Sequence, residues 1–331
     1  MKHFLDLADL SRDEVLDLLA LARRLEAHPE PHALAGKILG LVFFNPSLRT
    51  LASFQVGMQR LGGSSFVITP GQGTWQLETR LGAVMDGDCA EHIREGLPVL
   101  ASYADALGIR AFAAGKDLAE DVAETRFKAM AAVVDKPLIN LESAMSHPCQ
   151  SLADWKTMDD LVVPQRAKFV LSWANHPRVT PLAVPASTLH MAAHRGMEVV
   201  VLRPDGFALP SEVMDKARTA AAAAGGSVRE TNNRAEALAG AQILYAKEWG
   251  STRHYGDAAG DAALRTGLKD WTVREDWFAR SQPDCKFMHC LPVRRNVAVA
   301  DEVLDGPRSI VQREAYNRLP AQMAVLHRLL A

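Results

Sequence analysis

Apolar side chains at Val15, Leu16, Leu18, Leu19, Ala22 and Leu25 recur at helical spacing behind Ser11-Arg12-Asp13-Glu14, which has the form of a capping box. This pattern predicts an amphipathic helix over 11–27. A short apolar run rich in β-formers, 37–44, predicts a buried strand that Asn45-Pro46-Ser47 breaks. A helix is expected over 48–61, ending at Gly62-Gly63, then a strand over 65–69. Residues 70–90 read as irregular, and a helix over 91–105 is interrupted or kinked at Pro98. The second half repeats the alternation, with strands at 168–173, 197–202, 241–246 and 286–289. Helices are expected at 182–195, 211–224 and 313–330. Strands alternating with helices predict an α/β protein with parallel sheets covered on both faces. The Pro/His-rich segment at 146–150, with a helix after it, is a candidate hinge between two such halves. No internal repeat and no low-complexity tract interrupts the pattern.

The chain has 331 residues, 48% hydrophobic and 23% charged, enough for two ordinary globular domains. Its net charge of −2 and lack of a basic block argue against nucleic-acid or anionic-membrane partners. No apolar run reaches the roughly 18 residues of a membrane span. The start, Met1-Lys2-His3-Phe4-Leu5-Asp6, lacks the apolar core of a signal peptide. Cys89, Cys149, Cys285 and Cys290 include no C-x-x-C pair and form no disulfide framework. These features together predict a cytoplasmic, reduced protein.

In such folds ligands bind at the carboxyl ends of strands, and three polar clusters fall there. Ser47-Leu48-Arg49-Thr50 follows the 37–44 strand and opens a helix. Free N–H groups, the positive dipole end, two hydroxyls and a guanidinium suit a phosphate. An N-cap serine beside a surface arginine is the plainer alternative. In the second cluster, His147-Pro148-Cys149-Gln150 preceded by Glu142, the histidine and glutamine can donate to one carbonyl oxygen. Arg110 is a third candidate donor. Helix capping by His147 and a solvated Arg110 are the plainer alternatives there. The third cluster is His289-Cys290-Leu291-Pro292-Val293-Arg294-Arg295-Asn296. A zinc site fails on ligand count, because His289 and Cys290 are adjacent and no second pair has metal spacing. No metal or other cofactor is expected. A buried structural cysteine beside surface arginines remains open.

Phe43-Phe44-Asn45-Pro46-Ser47-Leu48-Arg49-Thr50 resembles the carbamoyl-phosphate motif of the aspartate/ornithine carbamoyltransferase family. His147-Pro148-Cys149-Gln150 is similar to that family's His-Pro-x-Gln, and His289-Cys290-Leu291-Pro292 to the His-Cys-Leu-Pro of its ornithine side. The three occur in the family's order, and the likeness runs over nearly the whole chain. Gly73-Thr74-Trp75, Val84-Met85-Asp86-Gly87-Asp88, Tyr245-Ala246-Lys247-Glu248-Trp249 and Pro292-Val293-Arg294-Arg295-Asn296 resemble its N-acylornithine branch. The Asp-x-x-x-Ser-Met-Gly loop of ornithine carbamoyltransferases is missing; Trp249-Gly250-Ser251-Thr252 and a longer insert stand there.

The resemblance implies two doubly wound parallel-sheet domains with the active site in the cleft between them, and a knotted C-terminal domain. A carbamoyl-phosphate domain would span 1–145, with the C-terminal helix 313–331 packing back on it, and an acylornithine domain 146–312. Ser47, Leu48, Arg49 and Thr50 would hold the phosphate, with Arg318 a further contact. Arg110, His147, Gln150 and the Cys290-Leu291 backbone would surround the carbamoyl end. His147, Arg110 and Arg49 would be catalytic, while Glu142, His176, Lys247 and Arg295 would contact the acylornithine. Trp75 would come from a neighbouring subunit of a homotrimer.

The acetyl-specific type carries Glu, and the succinyl type Pro, two residues before the histidine of the Asp-Gly-Asp-x-x-Glu-His segment; here Ala90 stands there. Ala298 replaces a lysine of the acetyl type, and Leu51 replaces the arginine usual after Ser-x-Arg-Thr. Ala90 presents no charge to a second acyl carboxylate, which favours N-succinylornithine over N-acetylornithine as acceptor in arginine biosynthesis. An ornithine carbamoyltransferase and a catalytically silent homologue are further alternatives. A dinucleotide-binding dehydrogenase is disfavoured, because Gly62-Gly63 and Gly71-Gln72-Gly73 do not fit G-x-G-x-x-G.

Overall fold

The computed structural model describes residues 1–331. They form two compact units, one of 1–114, 119–152 and 318–331, the other of 115–118 and 153–317.

In chain order the first part runs α1 (Arg12–Ala27), β1 (Ile38–Phe43), α2 (Leu48–Arg60), β2 (Ser64–Ile68), β3 (Leu77–Glu78) and β4 (Glu91–His92). It continues through α3 (Ile93–Ser102), β5 (Ala106–Arg110), α4 (Leu118–Val122), α5 (Thr125–Ala131), β6 (Leu138–Glu142) and α6 (Pro148–Asp160). The capping box forms: Ser11 Oγ accepts from Glu14 N while Glu14 accepts from Ser11 N. Pro98 lies inside α3 without ending it. The main sheet of the first unit is parallel, in the order β2-β1-β5-β6. Both of its faces are covered: every residue of β5 and β6 is buried. One core beside it joins Val42, Ile93, Leu97, Leu107, Ile109, Phe127 and Met130. The chain leaves β1 towards β2 on one side and returns as β5 on the other. The switch point therefore lies between the carboxyl ends of β1 and β5, where open sheets bind ligands.

The second part runs β7 (Lys168–Trp173), α7 (Ala183–Arg195), β8 (Glu198–Leu202), α8 (Ser211–Ala224), β9 (Ser227–Thr231), α9 (Arg234–Leu238) and β10 (Ile243–Lys247). Then come α10 (Ala258–Thr266), β11 (Lys286–Met288), α11 (Asp301–Leu304) and α12 (Val311–Leu330). The parallel order is β11-β10-β7-β8-β9. Its switch point lies between β7 and β10, whose ends lead into Asn175-His176 and Glu248-Trp249. Both units are thus parallel, doubly wound sheets, as the alternation predicts. The unit boundaries fall inside α6 and α12.

Candidate active site

In the first unit, three neighbouring strands deliver three clusters. Ser47 caps α2, its Oγ accepting from Thr50 N at 3.3 Å. Asn45 Oδ1 accepts from Phe112 N at 2.8 Å, tying the turn before α2 to the chain leaving β5. Arg318 is buried, and its Nη2 donates to Thr50 Oγ1 at 2.6 Å. Arg110, the last residue of β5, is buried against Glu142, the last of β6, in a short ion pair. His147 Nε2 lies 3.4 Å from the same carboxylate. The loop between Glu142 and His147 is held by Glu124. That side chain accepts from Ser143 Oγ at 2.7 Å, Met145 N at 2.7 Å and Ala144 N at 3.2 Å. Gln150 is buried in the first turn of α6.

These groups share one electrostatic neighbourhood. Burial lowers the Arg318 pKa, Arg110 and Arg49 lower it further, and Cys149 and Glu142 oppose the shift. Arg318 thus senses two further guanidiniums (Arg49, Arg110) and one carboxylate (Glu142), a cluster with a net charge of +2. A dianion at the N-terminus of α2 would complement it. Burial also pushes the Cys149 thiol up to about 12.

Trp75 is 61% exposed, and its indole N–H donates to Glu91 at 2.7 Å, beside exposed Ala90. Leu81 and Val84 on the same segment are 54% and 77% exposed.

In the second unit the 289–292 loop is anchored from several sides. The His289 N–H donates to Glu314 at 2.9 Å, and His289 Nδ1 accepts from Leu291 N at 2.9 Å. His289 Nε2 therefore carries the proton, facing Glu248 at 3.3 Å. Because the Leu291 N–H is used internally, Leu291 offers its carbonyl as the free backbone group. The Leu291–Pro292 peptide is cis, and Leu291 has a φ of 56°. Lys247 Nζ pairs with Glu248 at 2.9 Å. Lys247 and His289 help hold Glu248 below the usual carboxylate range despite its burial. Burial pushes the Cys290 thiol up to about 12, so it stays a neutral thiol near pH 7.

The adjacent arginines separate here. Arg295, assigned to acylornithine from the sequence, is tied to Asp301 at 2.8 Å and Asp305 at 2.6 Å on the exposed surface. Arg294 turns instead to His176, its Nε donating to His176 Nε2 at 3.0 Å. His176 Nδ1–H then donates to the Arg178 carbonyl at 2.8 Å, and burial holds the ring neutral by lowering its pKa. Asp301 and Asp305, a short way downstream, are the sequence signal that Arg295 has other partners. Glu142, also assigned to the acceptor, is engaged by Arg110 and His147. Glu248, Glu314 and Asp154 were not singled out from the sequence, because buried carboxyls on separate elements share no local pattern.

Two doubly wound units, one with converging guanidiniums at a helix mouth, define an enzyme that handles a phosphorylated donor. The carbamoyl-phosphate-binding domain model of the aspartate/ornithine carbamoyltransferases matches residues 2–160, and their Asp/Orn-binding domain model matches 183–329. The chain belongs to this family and is a carbamoyltransferase. It is 38% identical over 330 residues to N-acetylornithine carbamoyltransferase of Xanthomonas campestris pv. campestris, covering 98% of this chain and 97% of that one. It is 36% identical over 294 residues to N-succinylornithine carbamoyltransferase of Bacteroides thetaiotaomicron, covering 89% and 87%. A solved N-acetyl-L-ornithine transcarbamylase variant, with one glutamate replaced by alanine, is complexed with carbamyl phosphate and N-succinyl-L-norvaline. It superposes with a TM-score of 0.95 at 39% identity, over 99% of this chain and 100% of that one.

Proposed function

We propose that the enzyme transfers the carbamoyl group of carbamoyl phosphate to the side-chain amine of N2-succinyl-L-ornithine, giving N-succinylcitrulline and phosphate. The observation that carries the donor half is the +2 cluster of Arg49, Arg110 and Arg318 with Glu142 at the α2 N-terminus. Ser47, the Leu48 backbone, Thr50 and Arg49 hold the phosphate, and Arg318 fixes the Thr50 hydroxyl. Arg110, His147 and Gln150 face the carbamoyl oxygen and stabilise the charge that develops on it. Carbonyls of Cys290 and Leu291 accept from the carbamoyl NH2. Glu142 orients Arg110 and His147 and meets the acceptor from that position. Lys247, His176 and Arg294 (rather than the surface-paired Arg295) receive the acylornithine's carboxylates.

The attacking amine has a reference pKa near 10.4, so its neutral form at pH 7 costs roughly 4.6 kcal/mol. Cys290, with a thiol pKa near 12, offers almost no thiolate to take that proton at neutral pH. The departing phosphate, formed beside the amine as the C–O bond breaks, takes it.

The acyl preference rests on Ala90. Glutamate occupies this position in the acetyl type, and a succinylated norvaline occupies a transcarbamylase variant with one glutamate changed to alanine. Ala298, buried here, replaces a lysine of that type. The exposed Trp75, Leu81, Val84 and Ala90 support a homotrimer in which Trp75 and Ala90 complete a neighbour's site. The four free cysteines suit a reducing cytoplasm. A colorimetric citrulline assay comparing kcat/KM for succinylornithine and acetylornithine tests the reading. Faster use of acetylornithine makes the chain an N-acetylornithine carbamoyltransferase, the second reading, which its 38% identical relative supports.

A further inference from the structure

Behind the 289–292 loop, Asp154 of α6, Tyr245 of β10 and Glu314 of α12 are all fully buried. Glu314 Oε2 accepts the His289 N–H at 2.9 Å, and the Glu314 carboxyl also hydrogen-bonds the Asp154 carboxyl. Two carboxyl groups can bond each other only through a proton, and two ionised carboxylates do not persist in a dry contact. Burial and the Asp154 charge both raise the Glu314 pKa well above the ordinary range. Glu314 is therefore the group that keeps the proton. It donates through one oxygen to Asp154, and its other oxygen is left to accept from the loop.

We infer that Glu314 and Asp154 form a proton-sharing pair that positions the 289–292 loop, directing the Cys290 and Leu291 carbonyls at the carbamoyl group. Glu314 is a positioning residue, acting through the His289 backbone. The His289 side chain then extends the same control to Leu291 N and Glu248. This role rests on the assignment of Cys290 and Leu291 to the carbamoyl end given above.

A neutral acid with one donating and one accepting oxygen has a close mimic in glutamine, whose amide donates from nitrogen and accepts at oxygen. Glu314→Gln should thus preserve the loop, whereas Glu314→Ala removes the acceptor and Glu314→Asp withdraws it by one methylene. Steady-state kinetics on the full-length chain, with fold checked by circular dichroism, reads this out. The expected result is a KM for carbamoyl phosphate raised about tenfold or more in Glu314→Ala or Glu314→Asp, the scale of one lost buried hydrogen bond. Glu314→Gln should stay within about twofold of the parent on that same scale. Hydrogen exchange of the peptide spanning 286–295 gives a readout independent of turnover: protection falls in the Ala and Asp variants and holds in Gln. Glu314→Gln as impaired as Glu314→Asp would overturn the proton-sharing pair. Unchanged KM and protection in the folded Ala or Asp variant would overturn the positioning role. A parent enzyme with no carbamoyl transfer would instead sink the proposed function, leaving the exchange contrast to decide the pair.

Discussion

Introducing a carboxylate at position 90 tests the acyl preference at its physical source. Ala90 is exposed and adjoins Glu91, whose carboxylate is already engaged by the Trp75 indole at 2.7 Å. The one arginine of this segment, Arg80, is already held by the Glu78 carboxylate at 2.7 Å, so a glutamate at 90 adds a charge without a cation of its own. Against the terminal carboxylate of a succinyl group at about 4 Å, the repulsion is roughly 4 kcal/mol at an effective dielectric near 20, and about 1 kcal/mol in bulk water. Exposure in one subunit sets the lower end, and enclosure by a neighbour in the proposed trimer the upper. Ala90→Glu should lower kcat/KM for N-succinylornithine by about fivefold to about a thousandfold. The value for N-acetylornithine, with no second carboxylate, should change little. The assay is citrulline-type colorimetry on both acceptors, with carbamoyl phosphate saturating, for parent and variant. Added salt should weaken the effect if the site stays open to water. An unchanged ratio of the two kcat/KM values would refute the reasoning, because the side chain at 90 would then not face the acyl end.

Three further outcomes are expected. His147→Ala should cut kcat by about a hundredfold or more, the scale of one lost oxyanion donor; an unchanged kcat would remove that role. Arg294→Met should raise the acylornithine KM, while Arg295→Met should leave it near the parent value because Asp301 and Asp305 occupy Arg295; the reverse order would restore Arg295 as the substrate contact. Glu314 has a folded-state pKa raised above its unfolded value near 4.5, so its contribution to stability is full below that pH and is lost as pH rises. Glu314→Gln should accordingly gain Tm over the parent as pH climbs above about 4.5, and a gap that stays flat in thermal scans would contradict it.

Much of the fold was legible because its periodic segments are long. The Ser211–Ala224 helix falls where the apolar spacing predicts, and the Ser47 turn broke the first strand as expected. The Ala106–Arg110 and Leu138–Glu142 strands were not predicted as strands: each is five residues long and buried on both faces, so neither shows alternation. Ser227–Thr231 was missed for the opposite reason, being a polar, largely exposed edge strand. In the site, the turn chemistry of 47–50 and the order of the three motifs were readable. The direction of a side chain was harder to read: Arg294 and Arg295 are adjacent, and only the nearby Asp301 and Asp305 hint that Arg295 turns to the surface while Arg294 meets His176. The proton shared by Asp154 and Glu314 is equally hidden, because only tertiary packing brings two helices' carboxyls together.

The central claim is that a dianion rests on the mouth of α2, held by three guanidiniums. Calorimetric titration of the full-length chain with carbamoyl phosphate, for the parent and Arg49→Met, tests it most directly. Saturable binding weakened about a hundredfold or more by the substitution, the scale of a lost buried charge-assisted contact, is the expected result. Equal affinity in the two proteins would contradict it.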